Sequence, residues 1–168
     1  MSLKLELLNK LHVKKEFSCG KELLDGYIRT QAKQDYNRDL SVCYVLNEVK
    51  TKRVVGYYTL SSNTISRSEF PEDLAEKLPS SYINLPTILL GRLAVDKRDK
   101  GNRYGEFLLI NALNKAVELS ESLGVIAVVV EPIDDEARDF YSAYGFTLIP
   151  SNGKMFITIK TIKTSKII

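Results

Sequence analysis

Two apolar runs constrain this chain more than any other feature. Pro86 to Val95 (PTILLGRLAV) and Val125 to Glu131 (VIAVVVE) have the length and composition of buried strands. Between them, from Arg103 to Leu123, apolar residues fall at 107, 108, 110, 113, 116, 117 and 119, a helical spacing, and Gly124 is placed to cap the end. Strand, basic loop, long helix, strand predicts a βαβ crossover whose second strand is covered on both faces. The remaining elements must then be layered onto that sheet.

Upstream, Ser18 is a candidate N-cap for a helix from Cys19 to Asp35, with Leu23, Leu24, Tyr27, Ile28 and Ala32 at mixed three- and four-residue spacing. Leu40 to Asn47 and Val54 to Leu60, rich in β-branched and aromatic residues and separated by charged EVKTKR, predict an antiparallel hairpin. Ser61 to Pro86 reads as a decorated connection with a short helix at Pro71 to Leu78. Downstream, Pro132 and Asp134 open a helix over Asp135 to Tyr144 that Gly145 closes. Phe146 to Ile149 and Met155 to Ile162 then alternate as terminal strands around Ser151-Asn152-Gly153. The order β-α-β-β-β-α-β-α-β-β predicts an α/β (α+β) fold. Its centre is a mixed, twisted sheet of about six to seven strands flanked by helices. No linker, repeat or low-complexity run divides the 168 residues, so one domain, 1–168, is expected.

Composition narrows the chemistry. Neither a run of about 20 apolar residues nor a signal-like start is present, which predicts a cytoplasmic protein away from membranes. One histidine, His12, and two cysteines, Cys19 and Cys43, leave almost no ligands for a metal and mark no Cys-His pair for nucleophilic catalysis. A net charge of +3 permits an anionic ligand without the strong positive bias of a dedicated nucleic-acid domain.

Charge placement is more telling than its sum, since Lys97, Arg98, Lys100 and Arg103 crowd the loop between the first apolar strand and the long helix. A helix N-terminus offers unsatisfied N–H groups and a positive dipole end, and glycines at 101 and 105 let a phosphate approach the backbone. Lys100-Gly101-Asn102-Arg103-Tyr104-Gly105 is therefore a candidate pyrophosphate site, although it carries neither a Walker A nor a complete GxGxxG pattern, and a solvated βα turn explains it equally well. In Ala137-Arg138-Asp139-Phe140-Tyr141-Ser142-Ala143-Tyr144-Gly145-Phe146 the aromatics suit core packing, and Tyr141 is a candidate proton donor if its hydroxyl faces a cleft.

The run LGRLAVD, the Lys100 loop and A-x-x-FY-x-x-YGF together resemble the GNAT superfamily of acetyl-CoA-dependent N-acetyltransferases over nearly the whole chain. FSCG at 17–20, Leu24-Asp25, GYYTLS at 56–61 and LGRLAV at 90–95 resemble, more narrowly, the TacT/AtaT-like toxins that acetylate aminoacyl-tRNA. The resemblance implies a GNAT fold in which Leu93, Ala94 and Val95 pair with the pantetheine arm of acetyl-CoA. It also implies that Lys100 to Gly105 hold the pyrophosphate, that Asp134 joins the cofactor site and that Tyr141 protonates the departing thiolate. Two family positions differ: Lys100 stands for Gln or Arg, and Arg103, which carries a β-carbon, for the central glycine; Asp134 stands where many relatives have Asn. No residue is marked as general base, and an aminoacyl ester, whose α-amine titrates below the usual value of about 8, needs little help. Aminoacyl-tRNA as acceptor, a ribbon-helix-helix antitoxin as partner and a homodimer follow from the toxin resemblance. A GNAT acting on a small-molecule or protein amine, and a silent CoA-binding module, are the alternatives.

Overall fold

The structure, a computed structural model, describes residues 1–165; residues 166–168 of the expected domain lie outside the described residues. Seven strands form a mixed sheet in the order β1-β2-β3-β4-β5-β7-β6. They are β1 Leu3–Leu7, β2 Val42–Glu48, β3 Val54–Ser66, β4 Asn84–Val95, β5 Ala127–Val130, β6 Thr147–Leu148 and β7 Met155–Thr158. The helices are α1 Glu22–Gly26, α2 Ala32–Asn37, α3 Glu72–Ala75, α4 Tyr104–Ser120, α5 Asp135–Ala143 and α6 Ile159–Thr164. The α/β class and strand number match the expectation from sequence. Among the described residues no helix is long and apolar enough to cross a membrane. The chain divides into two compact units, one of Met1–Ser61 with Leu90–Ala112, the other of Ser62–Leu89 with the described residues from Leu113 onward.

In the first unit, β2 pairs antiparallel with β1 (Leu5↔Leu46) and with β3 (Val45↔Tyr57), so the predicted hairpin forms. One face buries Phe17, Tyr27, Ile28, Ala32, Cys43, Val45, Val54, Tyr57 and Ala94 in a single cluster. The helix predicted from Cys19 begins instead at Glu22, because Gly20 adopts φ 95° and a right-handed helix cannot include it. Ser18 is not its cap: its amide donates to Asp96 Oδ2 at 3.3 Å, while the Cys19 amide donates to Asp25 Oδ1 at 2.7 Å. A π-turn at Tyr27–Gln31 joins α1 to α2. Gly56 is required by close approach, since a β-carbon there would lie 2.9 Å from the Ala94 carbonyl oxygen and 2.9 Å from Leu108 Cδ1.

In the second unit, β4 and β5 run parallel with Thr87 opposite Ala127 and Leu89 opposite Val129, as the βαβ reading requires. All four β5 residues are buried, and β7 pairs antiparallel with both β5 and β6. Ile65, Phe70, Leu85, Ala127, Val129, Ile149 and Phe156 form this unit's apolar cluster. Several boundaries depart from the sequence reading. Residues 62–66, read as connection, continue β3, whose Ile65 is buried between more exposed neighbours. The predicted helix at Pro71 to Leu78 shrinks to Glu72–Ala75, and the Arg67 guanidinium takes up the carbonyls of Ala75, Leu78 and Pro79 that follow. The strand predicted to reach Ile162 stops at Thr158, whose hydroxyl accepts the Thr161 amide at 3.1 Å and caps α6. Helix α4 ends at Ser120, ahead of Gly124, which does not adopt the left-handed conformation expected of a cap.

Candidate active site

The parallel pairing of β4 with β5 ends at Leu89. Farther along β4, the Asp96 amide donates to the Val55 carbonyl at 2.8 Å, which fixes the edge facing β3. Strand alternation then turns the amides of Val95 and Leu93 to the opposite edge, where an extended ligand can add as a further strand. Leu93 and Val95 are half-buried and Ala94 is buried, a partly dry site for polar contacts.

Past Val95 the loop is pinned by its acids and presents its cations. Asp96, with its side chain 0% exposed, caps the short turn Lys97–Asp99 and accepts from the Arg98 amide at 2.9 Å and from the Arg98 guanidinium at 2.8 and 3.0 Å. Burial alone would raise this carboxyl, but the Arg98 and Ser18 donors outweigh it and hold the pKa below the usual range. Asp99, also buried, accepts both Arg53 guanidinium nitrogens at 2.8 and 3.0 Å, and the Asn102 side chain donates to the Asp99 carbonyl at 2.9 Å. Two of the four clustered cations are therefore engaged within the protein: Arg98 on Asp96, and Arg103 on Glu106 at 2.7 Å. Lys97 and Lys100 are exposed and form no ion pair among the described residues.

Gly101 (φ 88°) and Arg103 (φ 61°) both take left-handed conformations. Arg103 thus takes a backbone conformation that favours glycine despite its β-carbon, and its guanidinium turns along α4 to Glu106. At the start of α4 the Tyr104 and Gly105 amides have no acceptor among the described residues. Orphan donors, a glycine with open space around it at Gly101 and two uncommitted lysines fit a pyrophosphate. The strand edge at Leu93 to Val95 fits an amide-bearing pantetheine arm.

Asp134 and Tyr141 belong to the second unit. Asp134 Oδ1 accepts the Ala137 amide at 2.8 Å and caps α5, a structural role visible in its spacing. Tyr141 lies on α5 with its ring against Phe140 and Phe146, at 5.3 and 5.2 Å between centroids. It is 7% exposed, no described residue hydrogen-bonds its hydroxyl, and burial pushes its pKa well above the ordinary phenol value. The hydroxyl is consequently protonated at any working pH and has its donor capacity unspent.

The sequence reading missed one feature of the first unit. On β4 the Arg92 guanidinium lies 3.6 Å from the centroid of the Tyr27 ring, which stacks on Tyr57, and no carboxylate pairs with it among the described residues. Only the position of Arg92 inside an apolar strand signalled it. Cys19 and Cys43 are buried free thiols, raised by burial to about 11 and about 12, as befits packing rather than nucleophilic cysteines. His12 accepts the Asn9 amide on Nδ1, so its proton sits on Nε2, bonded to Glu6 at 3.1 Å.

An open strand edge running into a basic, left-handed loop at a helix N-terminus is the arrangement that the resemblance to GNAT-fold acyltransferases leads one to expect of a cofactor site. No protein-family model matches the sequence. The chain is 35% identical over 136 residues to the tRNA-acetylating toxin of Mycobacterium tuberculosis strain H37Rv, covering 81% of this chain and 79% of that one. Among solved structures it is similar to AtaT complexed with acetyl-methionyl-tRNAfMet (TM-score 0.89, 27% identity, 96% and 98% of the two chains). It is also similar to AtaTR bound with acetyl-CoA (TM-score 0.84, 28%, 96% and 96%). A tyrosine-to-phenylalanine mutant of AtaT bound to the C-terminus of the antitoxin AtaR matches with TM-score 0.81, at 25% identity and 96% of each chain. The chain belongs to the GNAT-fold family of tRNA-acetylating toxins.

Proposed function

We propose that this protein transfers the acetyl group of acetyl-CoA to the α-amine of aminoacyl-tRNA, and that a charged tRNA so blocked no longer serves translation. The observation that carries the reading is the identity to a tRNA-acetylating toxin over four-fifths of the chain, joined to a β4 edge and loop that fit the cofactor. Acetyl-CoA supplies an activated thioester. The amides of Leu93 and Val95 align its pantetheine arm, and the Val95 N–H donates to the acetyl oxygen as negative charge develops there. Lys97, Lys100 and the amides at the start of α4 balance the pyrophosphate charge. Tyr141 gives its hydroxyl proton to the leaving sulfur, for which its unspent donor and neutral state are suited, and a tyrosine-to-phenylalanine variant among the similar structures supports a tyrosine in such a role.

The similar AtaT structures also support an antitoxin whose C-terminus binds this chain. The test is acetyl transfer from labelled acetyl-CoA to charged tRNA, with uncharged tRNA and a lysine-containing peptide as competing acceptors. Label on charged tRNA alone is expected. Label on the peptide alone would move the assignment to a protein amine, and no binding of acetyl-CoA at millimolar concentration would end the enzymatic reading.

A further inference from the structure

Within the first unit, the segment after β1 and the end of α2 enclose a groove of about 520 Å³ that none of the cofactor residues lines. Its walls carry Lys10, Lys14 and Lys33 with Asn9, Tyr36 and Asn37. The one carboxylate in the lining, Glu6, is already committed to His12 at 3.1 Å, Asn47 at 3.0 Å and Lys4 at 3.4 Å, and these donors hold its pKa down to about 2. No carboxylate pairs with Lys10, Lys14 or Lys33 among the described residues. Lys14 is partly buried, and burial together with the nearby Lys33 charge lowers its pKa. An excess of positive charge is therefore held in a concave surface without a neutralising partner, beside an aromatic ring, Tyr36, that is 46% exposed.

We propose that this lysine groove seats the phosphodiester backbone of the tRNA substrate, a contact separate from the reacting amine; the inference rests on the functional reading above. Three features favour RNA over an acidic peptide. Flexible lysine stems match phosphates in sequence-independent contacts, an exposed tyrosine and two asparagine amides suit a base and ribose, and the substrate must be gripped by more than its aminoacyl end.

The experiment uses full-length protein carrying Lys14→Ala with Lys33→Ala, and separately Lys10→Ala with Lys33→Ala in case loss of the partly buried Lys14 stem impairs folding. Binding to charged tRNA is titrated across salt concentrations, and acetyl transfer is compared on full-length charged tRNA and on an aminoacylated acceptor-stem hairpin. Each pair should weaken tRNA binding about tenfold near 0.1 M salt and flatten the log–log salt slope by about 1.5 to 2. Transfer to the hairpin should be unchanged. Equal losses on both substrates, or unchanged tRNA binding, would overturn the groove. Unchanged tRNA binding with lost binding of a polyglutamate probe would assign it to an acidic protein segment instead. If the wild-type protein transfers no acetyl group to charged tRNA, the functional reading fails, and the binding titration still judges the groove.

Discussion

Replacing Arg103 by glycine separates the backbone of the loop proposed to hold the pyrophosphate from its charge. Arg103 sits at φ 61°, where a residue with a β-carbon is disfavoured by about 1 to 2 kcal/mol, and Arg103→Gly removes that strain. Against this stand the greater freedom glycine has in the unfolded chain, about 0.5 to 1 kcal/mol, and loss of the Glu106 pair. That pair is worth less than about 0.5 kcal/mol because the arginine side chain is 79% exposed. The terms nearly cancel, so stability should stay within about 1 kcal/mol of wild type, a melting shift of no more than about 4 °C. The backbone already has the glycine-like conformation and the guanidinium points to Glu106, so acetyl-CoA affinity should change by less than about threefold. Titration calorimetry and scanning calorimetry on the same preparation read both quantities. A tenfold or greater loss of affinity at unchanged melting temperature would mean that the guanidinium itself holds phosphate, and the argument from Glu106 would be wrong.

Lys100→Ala, by contrast, removes an uncommitted cation and should weaken acetyl-CoA binding, more at low salt than at high, in the same titration. Gly56→Ala places a β-carbon against the Ala94 carbonyl and Leu108, so thermal unfolding should report a loss of about 1 to 3 kcal/mol, with acetyl-CoA affinity falling as β4 is displaced. Glu6 has a folded pKa of about 2 against an unfolded value near 4.3, chiefly through the His12 and Asn47 hydrogen bonds. Its contribution is therefore complete above about pH 4.3 and declines as pH falls toward 2. Urea unfolding of Glu6→Gln should lose that part of the acid dependence, and an unchanged profile would remove the linkage.

The central crossover was legible in the sequence because its strands are apolar throughout and its helix is strongly periodic, so local pattern and tertiary burial agree. Where they diverge, long-range partners decided. FSCG looked like a helix start, but the Ser18 amide is held by Asp96, which is remote in sequence. The tail from Met155 to Ile162 alternates like a strand, yet β5 offers partners only to Thr158, and the Thr158 hydroxyl redirects the chain into α6. Asp96 and Asp99 could be seen as acids in a basic loop. That they face inward, leaving Lys97 and Lys100 outward, depends on Arg98 and Arg53. The Arg92 stack on Tyr27 and the lysine groove join segments that no spacing rule connects.

Mass spectrometry of the aminoacyl-adenosine released from charged tRNA, after incubation with acetyl-CoA and either wild-type protein or Tyr141→Phe, tests the central claim most directly. Wild type should add one acetyl group to the α-amine. Tyr141→Phe should do so about 10² to 10⁴ times more slowly while binding acetyl-CoA with unchanged affinity, because the hydroxyl acts only as charge develops on sulfur. Acetylation at the wild-type rate by Tyr141→Phe would remove the proposed proton donor, and no acetylated aminoacyl-adenosine with wild-type protein bound to acetyl-CoA would contradict the function itself.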